Sequence, residues 1–223
     1  MIGRVARAVV ALATVGGLST GCASLTSGTP TWPGATLEKV MLTAADFPPG
    51  VQYDRIIEQP GQPDGAGGPP GMLSKPQGCS NALTDVIAAS AERGPGSAEK
   101  YSVAYDGARI VMTVLSWQLN LQRLEATATR CERFEAFFDP ASEGIPITTT
   151  KLPGTRQDTL AYQQTMRLNG VERSIFMSFA NIGQLAVFGI AFPAANPAIP
   201  AKASLPQTFL DVVTLQADRM RSV

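Results

Sequence analysis

Asn169-Gly170, in the middle of TLAYQQTMRLNGVERSIFMSF (Thr159 to Phe179), constrains the fold more than any other feature of this chain. The dipeptide suits a two-residue β-hairpin turn, whose central residues need positive φ. Folding the stretch about it sets Leu168 against Val171, Met166 against Arg173, Gln164 against Ile175, Tyr162 against Met177 and Leu160 against Phe179. That face is almost entirely apolar. The opposite face sets Arg167 against Glu172 and Thr165 against Ser174, so the charges match as well. A slip of one residue would exchange the two faces, and a single register is therefore specified.

The same device recurs at Asp106-Gly107 within EKYSVAYDGARIVMTVLSW, where Tyr105 meets Ala108, Val103 meets Ile110 and Tyr101 meets Met112. Strands joined by such tight turns are antiparallel. QLAVFGIAF (Gln184 to Phe192) is apolar on both faces, which predicts a central strand covered on two sides. VQYDRIIE (Val51 to Glu58) adds a short strand.

Helical spacing is clearest in NLQRLEATATRCERFEAFFDP, where Leu121, Leu124, Ala128, Cys131, Phe134 and Phe138 recur at intervals of three and four. Cys131 on that stripe points inward. SNALTDVIAASAER reads as a helix capped by Ser80 or Asn81 and stopped at Gly94-Pro95-Gly96. A last helix begins near Ser204, with Pro206 in its first turn and Phe209, Val212, Val213 and Met220 on its buried side. LTAADFPPGV (Leu42 to Val51) is a short helical turn stopped by Pro48 and Pro49. Pro60 to Cys79 is so rich in Gly and Pro that no regular element fits, and it reads as a mobile loop, with a functional loop as the alternative. The fold class that follows is α+β: an antiparallel sheet of about six strands with two to three helices packed on it.

The first 22 residues have a different character. MIGRVARAVVALATVGGLSTGC opens with Arg4 and Arg7, runs through an apolar stretch from Ala8 to Leu18 and ends in small residues, as an export signal does. The apolar stretch falls well short of the roughly 20 residues needed to span a bilayer. Leu18-Ser-Thr-Gly-Cys22 resembles the lipobox of bacterial lipoproteins, with Ser19 where Leu is usual. The resemblance implies cleavage after Gly21 and lipid on Cys22, which would hold the mature protein on a membrane. An ordinary secretory signal that happens to contain a cysteine is the alternative.

Of three cysteines, lipidation of Cys22 leaves Cys79 and Cys131 as an even pair. In an oxidising compartment the default for such a pair is a disulfide. It would close a loop of about 50 residues and contribute about 4 kcal/mol. Two separate buried thiols are the alternative. The organisation expected is a signal peptide over residues 1–21, a lipidated Cys22 with a flexible tether over 22–36, and a single α+β domain over 37–223.

Composition removes several classes of chemistry. With no histidine anywhere, Ser-His-Asp, Cys-His and histidine-metal sites are excluded. Beyond Cys22 there are two more acidic than basic residues, and the basic ones are scattered singly, so nucleic acid is not an expected partner. Ser97-Ala98-Glu99-Lys100 matches the S-x-x-K of penicillin-recognising enzymes, but that motif needs a helix and this stretch has strand composition. Asp46, Asp54 and Asp64 fall in turns or loops and do not converge. Met112, Met166 and Met177 read as core filler on inward strand faces. No catalytic residue, metal ligand or cofactor site is expected, and no ligand-binding residue can be named.

The lipobox, the Thr/Ser/Pro-containing tether ASLTSGTPTWPGA, LTAADFPPGV, one cysteine pair joining a loop to a helix, and the antiparallel α+β pattern together resemble mycobacterial cell-envelope lipoproteins. Their soluble domain is similar to the extracellular sensor domain of a mycobacterial serine/threonine kinase. The resemblance implies a cleft between sheet and helices and no enzymatic activity. The expected function is a membrane-anchored, non-catalytic ligand-binding or sensor-like module whose ligand is an apolar or amphipathic envelope molecule. The alternative is a module that docks another envelope protein.

Overall fold

The computed structural model describes residues 33–57, 72–88, 96–153, 158–168 and 170–222. Its elements are α1 (Pro33–Val40), a 3-10 turn (Ala44–Asp46), β1 (Gln52–Ile56), β2 (Leu73–Lys75), α2 (Ala82–Ala88), β3 (Ala98–Tyr105), β4 (Ala108–Leu115) and α3 (Leu121–Arg130). There follow β5 (Arg133–Phe137), β6 (Ile145–Lys151), β7 (Thr159–Leu168), β8 (Val171–Ile182), β9 (Leu185–Phe192) and α4 (Gln207–Arg221). The strands form one antiparallel sheet in the order β1-β3-β4-β9-β8-β7-β6-β5-β2.

Both hairpins form in the expected register: Tyr105 pairs with Ala108 and Tyr101 with Met112, while Leu168 pairs with Val171 and Leu160 with Phe179. Gly107 and Gly170 take φ of 107° and 75°, the left-handed conformation that glycine adopts without strain. β9 lies between β4 and β8 in the middle of the sheet, as its two apolar faces require.

Among the described residues the sheet has nine strands, more than the six expected, and four helices rather than two or three accompany it. Three segments account for much of the difference. The helix expected to run on to Phe138 stops at Arg130, and Arg133–Phe137 is a strand. Phe134 and Phe138 are four apart, a spacing that places two residues on one face of a helix or of a strand. Burial decides between them: Phe134 and Ala136 are buried while Arg133 and Glu135 are exposed, which is a period of two. Leu73–Lys75 is a strand where no regular element was expected, held by pairing with Glu135–Phe137. Finally, α1 starts at Pro33, inside the stretch assigned to the tether. Proline in a first helical turn is a start signal rather than a linker signal.

Helices cover both faces. On one, α1 and α4 pack on Tyr101, Val103, Ile110, Met112, Phe176 and Val187. Gly189 makes that approach possible, since a Cβ there would lie 2.6 Å from Met112 Sδ and 2.9 Å from Phe209 Cε2. Fully buried Gln216 of α4 accepts from Leu42 N–H at 3.3 Å and donates to the Val40 carbonyl at 2.8 Å, which closes the end of α1. The short turn after α1 is anchored as well: Asp46 accepts from Thr43 N–H and Oγ1 and pairs with Arg219 at 2.6 Å.

On the other face, α2 and α3 pack on Leu115, Trp117, Leu160, Met177, Phe179 and Phe188. Asn120 caps α3 by accepting from Arg123 N–H at 2.9 Å. Asn181 of β8 exchanges two hydrogen bonds with the Leu119 backbone, which fixes where α3 begins.

Candidate functional site

At the β2 end of the sheet the apolar filling thins to a small cluster of Cys79, Ala82, Cys131, Phe134 and Ala136. Cys79 and Cys131 are joined by a disulfide, with S–S 2.07 Å and Cα–Cα 5.5 Å, so the pair expected from the cysteine count does form. It ties the residue after the 72–78 segment to the C-terminal end of α3.

Beside this staple lies a groove of about 710 Å³. One wall is built by the chain from Met72 to Ser80, folded back on itself through Ser74. The Ser74 hydroxyl accepts from Cys79 N–H at 2.9 Å and Ser80 N–H at 3.3 Å, and donates to the Pro76 carbonyl at 2.9 Å. Ser80 Oγ donates to the Met72 carbonyl at 2.5 Å. Apolar surface comes from Met72, Leu73, Phe137 and Pro140, and polar surface from Lys75, Gln77, Asn81 and Asp85. Lys75 Nζ sits 5.2 Å from the Phe137 ring centroid. Leu73 is half-exposed, and β2 pairs with β5 alone among the described strands. A groove of this size, with apolar walls and a few placed polar groups, has the dimensions of a small-molecule site. The Lys75 ammonium and Asp85 carboxylate would suit the polar head of an amphipathic molecule.

A second, smaller cavity of about 240 Å³ lies between α3 and the β6–β7 pair. Its lining includes Glu125, Glu132, Thr149, Lys151 and Tyr162. Tyr162 is buried, and its pKa is pushed up to about 12, first by burial and then by the nearby Glu125 charge. Among the described residues the two cavities share no lining residue.

The sequence named no groove residue, because none stands in a motif; the groove arises where two short strands, a disulfide and the start of α2 meet. Cys22 and Asp64 lie outside the described residues. Ser97 and Lys100 fall at β3 and not at a helix start, with Glu99 between them paired to Arg55 at 2.9 Å. Asp46 is engaged with Arg219 and Asp54 is exposed on β1. Met112 and Met177 are buried in the two layers, and Met166 is half-buried. Among the described residues no cluster of acidic or sulfur ligands could hold a metal ion, and no helix is long and apolar enough to cross a membrane.

No family model and no curated protein matches the chain. Among solved structures it is similar to an uncharacterized protein from Mycobacterium smegmatis, at 13% identity and a TM-score of 0.49, over 85% of this chain and 95% of that one.

Proposed function

We propose that this chain is an exported lipoprotein, held on the outer face of the cytoplasmic membrane or in the cell envelope by lipid on Cys22. Its folded part then acts as a non-catalytic ligand-binding or sensor-like module, in keeping with its resemblance to mycobacterial envelope lipoproteins and kinase sensor domains. The groove beside the Cys79–Cys131 disulfide carries this reading, because it is large enough for an organic ligand and lined for an amphipathic one. The disulfide itself supports a compartment outside the cytosol.

Mass spectrometry of the full chain extracted from its native membrane tests the ligand. A co-purifying lipid or glycolipid that is lost from a Leu73→Asp variant supports the reading. A second reading, docking of another envelope protein, draws on the exposed Leu73 and Phe138 at the same end of the sheet. An empty groove together with one specific crosslinked partner would replace the first reading by the second. The anchor has a separate test: Cys22→Ala should move the protein out of the detergent phase, and continued retention there contradicts lipidation.

A further inference from the structure

The β7–β8 hairpin runs past the rest of the sheet. β6 accompanies β7 only as far as Met166, and β9 accompanies β8 only from Phe176 onward. Beyond those limits Arg167 pairs with Glu172 and Leu168 with Val171, and among the described strands no third one pairs with them. The tip is therefore a two-stranded ribbon that stands clear of its neighbours. It nevertheless carries apolar side chains: Val171 is 54% exposed and Leu168 36%. On the same face Phe192, at the end of β9, is exposed, and Met166, Ile175 and Ile190 are half-buried. The cover that α2 and α3 supply to this face lies over Leu160, Met177, Phe179 and Phe188, away from the tip.

Positive charge gathers at the same place. Arg173 stands across from Met166 on the apolar face, Arg167 lies on the reverse face, and Arg109 stands across from Phe192. All three are exposed, and among the described residues none is held in an ion pair. Glu172 is the one acid from Arg167 to Arg173, so the tip is left positive. Three partly exposed apolar side chains offer far less than the roughly 1,200 Å² that a stable protein interface buries. A bilayer surface needs no such area, because short apolar side chains enter the acyl boundary while arginines keep their heads among the phosphates. Excess positive charge selects an anionic surface.

We propose that the β7–β8 tip is a membrane-contact element, with Leu168, Val171 and Phe192 seated in the surface of an anionic phospholipid bilayer and Arg109, Arg167 and Arg173 on its phosphates. It adds a second point of attachment to the membrane location proposed above, and it fixes which side of the domain faces the lipid.

The test places the full-length chain, with Cys22 intact, on vesicles of phosphatidylglycerol and phosphatidylcholine whose acyl chains carry bromine, a quencher of tryptophan. Leu168→Trp should emit further to the blue than in water and be quenched, once the parent's own signal from Trp32 and Trp117 is subtracted. Val171→Trp, across the turn, repeats the reading should the first variant fail to fold. Leu215→Trp, on α4 and 40% exposed, should stay unquenched. Quenching at 168 should largely disappear when Arg167 and Arg173 are both replaced by Ser, on raising the salt, or on vesicles of phosphatidylcholine alone. A chain that floats with the vesicles but shows no quenching at 168 and 171 overturns this proposal and leaves the Cys22 anchor standing. Quenching equal to that at 215, quenching indifferent to the arginines, or tips that crosslink to one another in place of quenching would also overturn it.

Discussion

The middle of the sheet and its β2 end are held together by different means. Where α1 and α4 pack, large side chains such as Tyr101, Ile110, Met112 and Phe209 are fully buried, Gln216 answers the Leu42 N–H and the Val40 carbonyl, and Arg219 answers Asp46. At the β2 end the buried cluster is small, the terminal strand is three residues long, and a covalent bond between Cys79 and Cys131 takes over. The groove lies at that end. Packing that fills the space between layers leaves no room for a ligand, whereas a disulfide fixes two segments without filling what lies between them.

The largest effect should come from the filled middle. Phe209→Ala empties the place against Gly189 and Met112 and should cost about 4 kcal/mol in urea unfolding. A loss below about 1 kcal/mol would mean that α4 is not the principal cover of its face. Replacing both Cys79 and Cys131 by Ser should cost about 2–4 kcal/mol, given their separation of 52 residues. The comparison sharpens if that loss falls on β2 and β5 while α4 stays protected. Gln216→Leu, close to isosteric, strands the Leu42 N–H and the Val40 carbonyl and should cost about 2 kcal/mol. A neutral result would show that water reaches the end of α1.

The smallest effect is in acid. Burial, the largest single influence on Asp46, raises its pKa, but the hydrogen bonds from Thr43 and the Arg219 charge outweigh it and hold the carboxyl below its ordinary 3.8. A depressed folded-state pKa contributes stability that is present above 3.8 and is lost as pH falls through the folded value. Stability measured from pH 5 down to 2 should therefore fall more in the parent than in Asp46→Asn. Parallel curves would remove the Asp46–Arg219 pair from the account.

Legibility in the sequence followed the same division. The filled middle was readable because local and global signals agree there: Asp106-Gly107 and Asn169-Gly170 set the registers, and the apolar sides of β9 and α4 name their own burial. At the stapled end, local signals mislead. Phe134 and Phe138 fit either period, and Leu73–Lys75 is a strand only because Glu135–Phe137 pairs with it. The cysteine count still pointed to the staple, since the expected lipidation of Cys22 would leave two thiols, and Cys79 and Cys131 do form a bond. The groove was out of reach, because its lining comes from Met72–Asp85 and Phe137–Pro140, stretches far apart in the chain that share no pattern.

Native-state hydrogen exchange with and without a reductant tests the central claim most directly. If the disulfide holds the groove end and packing holds the middle, reduction should strip protection from amides of β2 and β5 while those of β4, β9 and α4 keep theirs. Uniform loss of protection across the whole sheet, or unchanged protection in β2 and β5, would contradict it.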